Sequence, residues 1–96
     1  MKCPCVYILA SDRNGTLYVG VTSDVVRRVW EHREDAAESF TKKYRVHRLV
    51  YFELHETMPD AILRETRIKR WRRAWKVELI ERANPQWRDL YGDVAA

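Results

Sequence analysis

The sequence predicts an α+β fold: a three-stranded antiparallel β-sheet flanked by helices, in the order β-β-α-β-α-α. Three observations predict it. Two short β-rich segments flank an Asn-Gly turn near the N-terminus, a third stands at residues 47–54, and the other apolar patterns repeat at helical spacing. With 96 residues, of which 46% are hydrophobic and 33% charged, the chain has the composition of a globular domain with one modest core. Residues 1–96 are therefore expected to form a single domain. No apolar run approaches the ~20 residues that span a bilayer, and the N-terminus lacks a signal-peptide layout. Cys3 and Cys5 have no second cysteine pair with which to build a zinc site. They read as free thiols, which fits a reducing cytoplasm.

The elements follow in order. Cys5 to Ala10 (CVYILA) is a continuous apolar run rich in β-formers. Ser11 to Gly15 (SDRNG) is a turn, with Asn14-Gly15 suited to positive φ, and residues 16–21 (TLYVGV) complete a hairpin. Thr22-Ser23-Asp24 starts a helix to about Arg33, with Val25, Val26, Val29 and Trp30 as its apolar stripe. Arg28 and His32 share one edge of that stripe, while Arg27 points away, near Glu31. A short helix is expected around 39–44, and residues 47–54 (HRLVYFEL) make the third strand. Pro59 opens a long helix over 59–73, with an inward stripe of Met58, Ala61, Ile62, Ile68, Trp71 and Trp75. A last helix covers about 75–82, and Asn84-Pro85 stops it.

Charge narrows the partners. The net charge is +4, and the segment Arg64 to Lys76 (RETRIKRWRRAWK) holds seven basic residues against one acid. Such a block attracts polyanions, although it also serves as an ordinary solvated helix face. Lys42, Lys43, Lys69, Arg70, Arg72, Arg73 and Lys76 are the expected nucleic-acid backbone contacts. Trp71 and Trp75, among them, read first as core and second as base-stacking platforms.

Phosphodiester hydrolysis needs an activated water, neutralised phosphoryl oxygens, a stabilised leaving oxygen and a phosphate held in line. Tyr7 and Tyr18, on the two hairpin strands, can hold a water or phosphate oxygen or act as a base. Gly20 in a strand interior signals a close approach. Arg28 can clamp phosphate and His32 can donate to the leaving group, although taken alone each reads first as a surface residue. Glu65 interrupts an apolar stripe, which costs stability unless the carboxylate is paired, for instance with Arg28, or binds metal. One carboxylate plus waters suffices for Mg²⁺.

In order and spacing these residues resemble the GIY-YIG nuclease superfamily. The first motif stands as Cys5-Val6-Tyr7 and the second as Tyr18-Val19-Gly20, with Arg28 ten residues beyond Tyr18 and His32 four beyond that. Glu65 matches the motif glutamate of the family's later helix, and Asn84 more weakly its late asparagine. The stretches YVGVTSDVVRRVWEH, FTKKY, RLVYFE, IKRWRRAWK and NPQWRDLY look similar to the small stand-alone bacterial endonuclease-like (YhbQ-type) group. The resemblance implies a metal-dependent DNA endonuclease with Tyr7, Tyr18, Arg28, His32 and Glu65 as catalytic residues. It further implies one divalent ion, Mg²⁺ or Mn²⁺, on Glu65. Which tyrosine activates the water stays open; we set Tyr18 near the nucleophile, with Tyr7 in support. Cys5 replaces the motif glycine, and the acidic loop 33–38 departs from the family in lacking glycine. A chain of this length has no room for a separate targeting domain, so selection by substrate shape, or delivery by a partner protein, is expected. Repair or recombination is the expected setting, and a monomer or weak dimer the expected state. RNA stays open as a substrate. Two other readings stay open: a non-catalytic nucleic-acid-binding module using the basic 64–76 segment, and a domain that docks an acidic protein.

Overall fold

β1 (Cys5–Ala10) forms the centre of the sheet, antiparallel to β2 (Leu17–Thr22) on one side and to β3 (Arg48–Leu54) on the other. The computed structural model, which describes residues 2–34 and 39–95, explains its composition. Val6, Ile8 and Ala10 enter one core, and Cys5, Tyr7 and Leu9 enter another. A strand covered on both faces has no polar side, hence the unbroken apolar run. The first face is covered by α3 (Met58–Arg70) and α4 (Arg73–Ala83), through Ala61, Ile68 and Ile80. The second is covered by α1 (Val25–Arg33) and α5 (Tyr91–Ala95), through Val25, Val29, Tyr91 and Val94. The short α2 (Ser39–Tyr44) precedes β3.

The predicted architecture is the observed one, with four local differences. Asp24 itself caps α1, its carboxylate accepting from the Arg27 amide at 3.2 Å, while the Thr22 hydroxyl accepts from the Asp24 amide. The expected long helix stops at Arg70, because Trp71 and Arg72 adopt extended backbone, with ψ of 150° and 155°. α4 then starts afresh at Arg73, so a stripe extrapolated through Trp75 loses its register. Ala61 and Ile68 are buried, but Ile62, Trp75 and, on α1, Trp30 face solvent. The sequence signalled no helix at α5, a segment that contains Gly92 and caps the second core. The expected acidic loop falls largely on residues 35–38, outside those described.

Turn and bulge chemistry hold the frame. Asn14 alone takes the positive φ in the hairpin turn, at 58°. Gly15 is needed for another reason: a β-carbon there would stand 2.2 Å from the Ser11 hydroxyl. In β3 the register slips between the Ile8–Tyr51 and Leu9–Leu49 pairs, which leaves Val50 as an extra, bulged residue. Its carbonyl accepts from the buried Asn84 amide at 3.0 Å. The same amide group donates to the Arg88 carbonyl at 2.9 Å, and the Asn84 carbonyl oxygen accepts from the Arg88 amide at 3.0 Å. Between these bonds Trp87 adopts a left-handed φ of 56°, a strained state for a bulky residue. Full burial of its indole, and its Nε1–H donating to Glu81 at 2.7 Å, offset that strain.

Candidate active site

The hairpin sets the two tyrosines. In register, Tyr7 faces Gly20 and Leu9 faces Tyr18, so both phenols project from the same sheet face as diagonal neighbours, with ring centroids 6.2 Å apart. Gly20 is the close approach expected from the sequence, but the approaching group is Tyr7. A β-carbon on Gly20 would lie 2.5 Å from the Tyr7 hydroxyl oxygen and ring carbon. The missing side chain is what lets the Tyr7 ring lie across β2.

α1 delivers the other two groups onto this face. His32 is fully buried, with Nε2 3.1 Å from the Tyr7 hydroxyl and its ring 5.3 Å from that of Tyr18. It is not a surface histidine; it occupies the helix face that Val25 and Val29 share. Arg28, one turn earlier, is hydrogen-bonded to Tyr7 and donates to Glu31 at 3.3 Å. Burial disfavours its charge, but its hydrogen bonds to Tyr7 and Glu31 and the attraction of the Tyr7 and Tyr18 phenols raise its pKa above its usual value. Arg27 points outward, its side chain 76% exposed against 30% for Arg28, and pairs with the other Glu31 oxygen. Tyr7 and His32 therefore form a buried pair, over which the half-buried Tyr18 and Arg28 lie nearer to solvent.

Glu65 comes from a different helix than Arg28 and His32. It lies on α3, four residues after Ala61 and three before Ile68, so it shares their inward face and is only 13% exposed. α3 packs on the opposite side of the sheet from Tyr7, over β1 and the edge strand β2. The ion pair of Glu65 is with Lys69, at 2.9 Å, instead of the Arg28 partner considered from sequence. Among the described residues no three His, Cys, Asp or Glu side chains gather into a metal-binding group. A sheltered carboxylate that already draws one cation is nonetheless the donor a largely water-ligated Mg²⁺ requires.

The basic residues divide by their contacts. Lys42, Lys43, Lys69, Arg70 and Arg72 are exposed. Arg73 is also exposed, but donates to the Asn14 and Gly15 carbonyls and so pins the hairpin turn to α4. Half-buried Lys76 donates to the Lys69 carbonyl at 3.4 Å. One polar network escaped the sequence reading. The Tyr51 hydroxyl, His55 and Arg64 converge on the Glu53 carboxylate at 2.6, 2.6 and 3.0 Å. Its signal was the i, i+2, i+4 spacing of Tyr51, Glu53 and His55 at the end of β3. Burial and the Glu53 carboxylate push the Tyr51 phenol up to about 12. Cys5 is likewise pushed up to about 12, chiefly by burial, so it stays a thiol and packs where the family motif carries glycine.

Fold and site together define a small α+β domain with a tyrosine–histidine–arginine cluster on one sheet face. Residues 3–78 match the family model described as the GIY-YIG catalytic domain. UPF0213 proteins of Staphylococcus aureus, from strains Mu3 and N315, are 40% identical over 76 residues, which is 79% of this chain and 92% of each relative. The solution structure of the UPF0213 protein BH0048 from Bacillus halodurans superposes with a TM-score of 0.56 at 27% identity, covering 90% of both chains. The chain belongs to the GIY-YIG family.

Proposed function

We propose that this protein is a divalent-metal-dependent endonuclease that hydrolyses phosphodiester bonds in DNA and selects substrates by structure more than by sequence. The observation that carries the reading is the Tyr7 hydroxyl, held between His32 and Arg28 beside Tyr18, on a GIY-YIG domain. A cation next to a phenol favours its deprotonated form. Tyr18, the more open of the two, orients the attacking water, and Tyr7 supports it. His32 is buried, so it acts through Tyr7 as a hydrogen-bond partner and proton acceptor instead of meeting the leaving group. Arg28 neutralises charge on the phosphoryl oxygens. Glu65 would hold the Mg²⁺ or Mn²⁺ ion, which supplies Lewis-acid stabilisation when bound. DNA repair or recombination in the cytoplasm is the setting this activity suits.

The test is cleavage of labelled duplex, flapped and branched DNA, and of RNA, with Mg²⁺ or Mn²⁺. Glu65→Gln is expected to abolish product while the fold and DNA binding persist. Arg28→Ala should cost about 10²–10³-fold in rate, Tyr18→Phe should slow cleavage, and Arg27→Ala should change little. An active Glu65→Gln variant would remove the metal role, and dependence on Arg27 in place of Arg28 would overturn the assignment on α1. The Glu65–Lys69 pair favours a second reading, a nucleic-acid-binding module without catalysis. That reading predicts binding, with no product under any metal, from wild type and Glu65→Gln alike.

A further inference from the structure

The break between α3 and α4 opens a cavity of about 390 Å³ lined by Arg64, Trp71, Trp75, Glu78, Leu79 and Arg82. It lies with α3 and α4, on the sheet face away from Tyr7 and Tyr18. Its size falls within the ~300–1,000 Å³ of small-ligand pockets, and its walls are organised in advance. Extended backbone at Trp71 and Arg72 sets the two indoles edge to face, with centroids 6.1 Å apart. The Arg64 guanidinium lies over Trp71 at 5.2 Å and is itself fixed on Glu53, which Tyr51 and His55 hold from other directions. Arg72 lies over Trp75 at 5.0 Å.

Trp75 is nevertheless 50% exposed, whereas Trp87 is wholly buried in the same domain. Half of this indole is left open at the mouth of the cavity, with Trp71 and Arg72 holding its position. We propose that this cavity is a stacking subsite for an unpaired nucleobase of single-stranded DNA, a proposal that rests on the nucleic-acid reading above. Indole and guanidinium surfaces stack on the π-face of any base. The Arg82–Glu78 pair, at 3.0 Å, puts a donor and an acceptor at the wall for a base edge. The Glu78 carboxylate repels phosphate, so the base enters, and the exposed Lys69, Arg70 and Arg72 take the backbone. A base within a duplex is stacked on its neighbours and cannot enter. The subsite therefore distinguishes single-stranded arms from duplex without reading sequence.

The experiment measures fluorescence anisotropy of a labelled single-stranded oligothymidylate and of a duplex of equal length, with tryptophan emission followed in parallel. The proteins are the full chain as wild type, Trp75→Ala and Trp75→Phe. Trp75→Ala should weaken single-strand binding about ten-fold, on the order of one base–aromatic stack, leave duplex binding unchanged, and abolish most of the ligand-induced quenching. Trp75→Phe, which keeps a ring, should retain most of the affinity. If wild type binds both ligands and Trp75→Ala binds single strands equally well, the subsite is wrong and the nuclease reading stands. If wild type binds neither ligand, both fall. Melting curves verify that the variants fold, which the exposure of Trp75 favours.

Discussion

Single residues decide whether the candidate site can exist. Gly20 is the sharpest case, because the β-carbon that any other residue brings would meet the Tyr7 ring and hydroxyl at 2.5 Å. Tyr7 cannot swing aside cheaply, since it is buried and tied to His32 and Arg28. Gly20→Ala is therefore expected to destabilise the domain by about 1–3 kcal/mol, the usual cost of overpacking, and to reduce cleavage by displacing Tyr7. Chemical denaturation and the cleavage assay check both parts. At this scale the sequence was informative about identity and poor about exposure. Tyr7, Tyr18, Arg28 and His32 stand out through the family resemblance, and the structure brings all four together. That His32 is buried was not legible, because helical periodicity places a residue at the edge of a stripe without saying whether a second phenol will cover that edge. Glu65 is legible as a carboxylate on an apolar face, but its partner is not, because Lys69, four residues on in an exposed basic run, competes with any arginine the fold could bring near.

Elements were legible where pattern is local. The hairpin, α1 and β3 fall within a residue of their expected bounds. The α3–α4 break was not, because Trp71-Arg72-Arg73 contains neither glycine nor proline. α5 was missed for a similar reason: five residues give too little periodicity to read, and its place is set by packing on α1. The segment between α4 and α5 depends on one side chain. Asn84 ties the bulged Val50 carbonyl, the Arg88 carbonyl and the Arg88 amide into one knot. Asn84→Ala leaves the buried Val50 carbonyl without that donor and loosens the turn that holds Trp87 in its left-handed conformation. A loss of about 1–3 kcal/mol is expected from equilibrium unfolding, with hydrogen exchange rising first around residues 84–91. Asn84→Asp should not rescue it, because a carboxylate cannot donate to the two carbonyls.

For the molecule as a whole, the Glu53 network ties the end of β3 to α3, and acid should reveal it. Glu53 is partly desolvated, which alone would raise its pKa, but hydrogen bonds from Tyr51, Arg64 and His55 hold it below the ordinary carboxylate value of 4.5. A carboxylate whose pKa is lower folded than unfolded adds stability above the unfolded pKa, and that contribution disappears as pH falls through the folded one. Wild type should accordingly exceed Glu53→Gln in melting temperature near neutral pH, with the gap closing below about pH 4. A gap that stays constant with pH would mean that the network acts only by packing. The central place of β1 has a consequence for how the chain reaches this state. The hairpin partner β2 follows β1 immediately, but the other edge of β1 closes only when Arg48 meets Ala10. During synthesis the most apolar strand of the protein therefore waits with one flank open while the whole α1–α2 segment is made. In that interval a second nascent chain exposes the same β1 edge, so slow elongation or high local concentration favours pairing of two such edges between copies over closure within one.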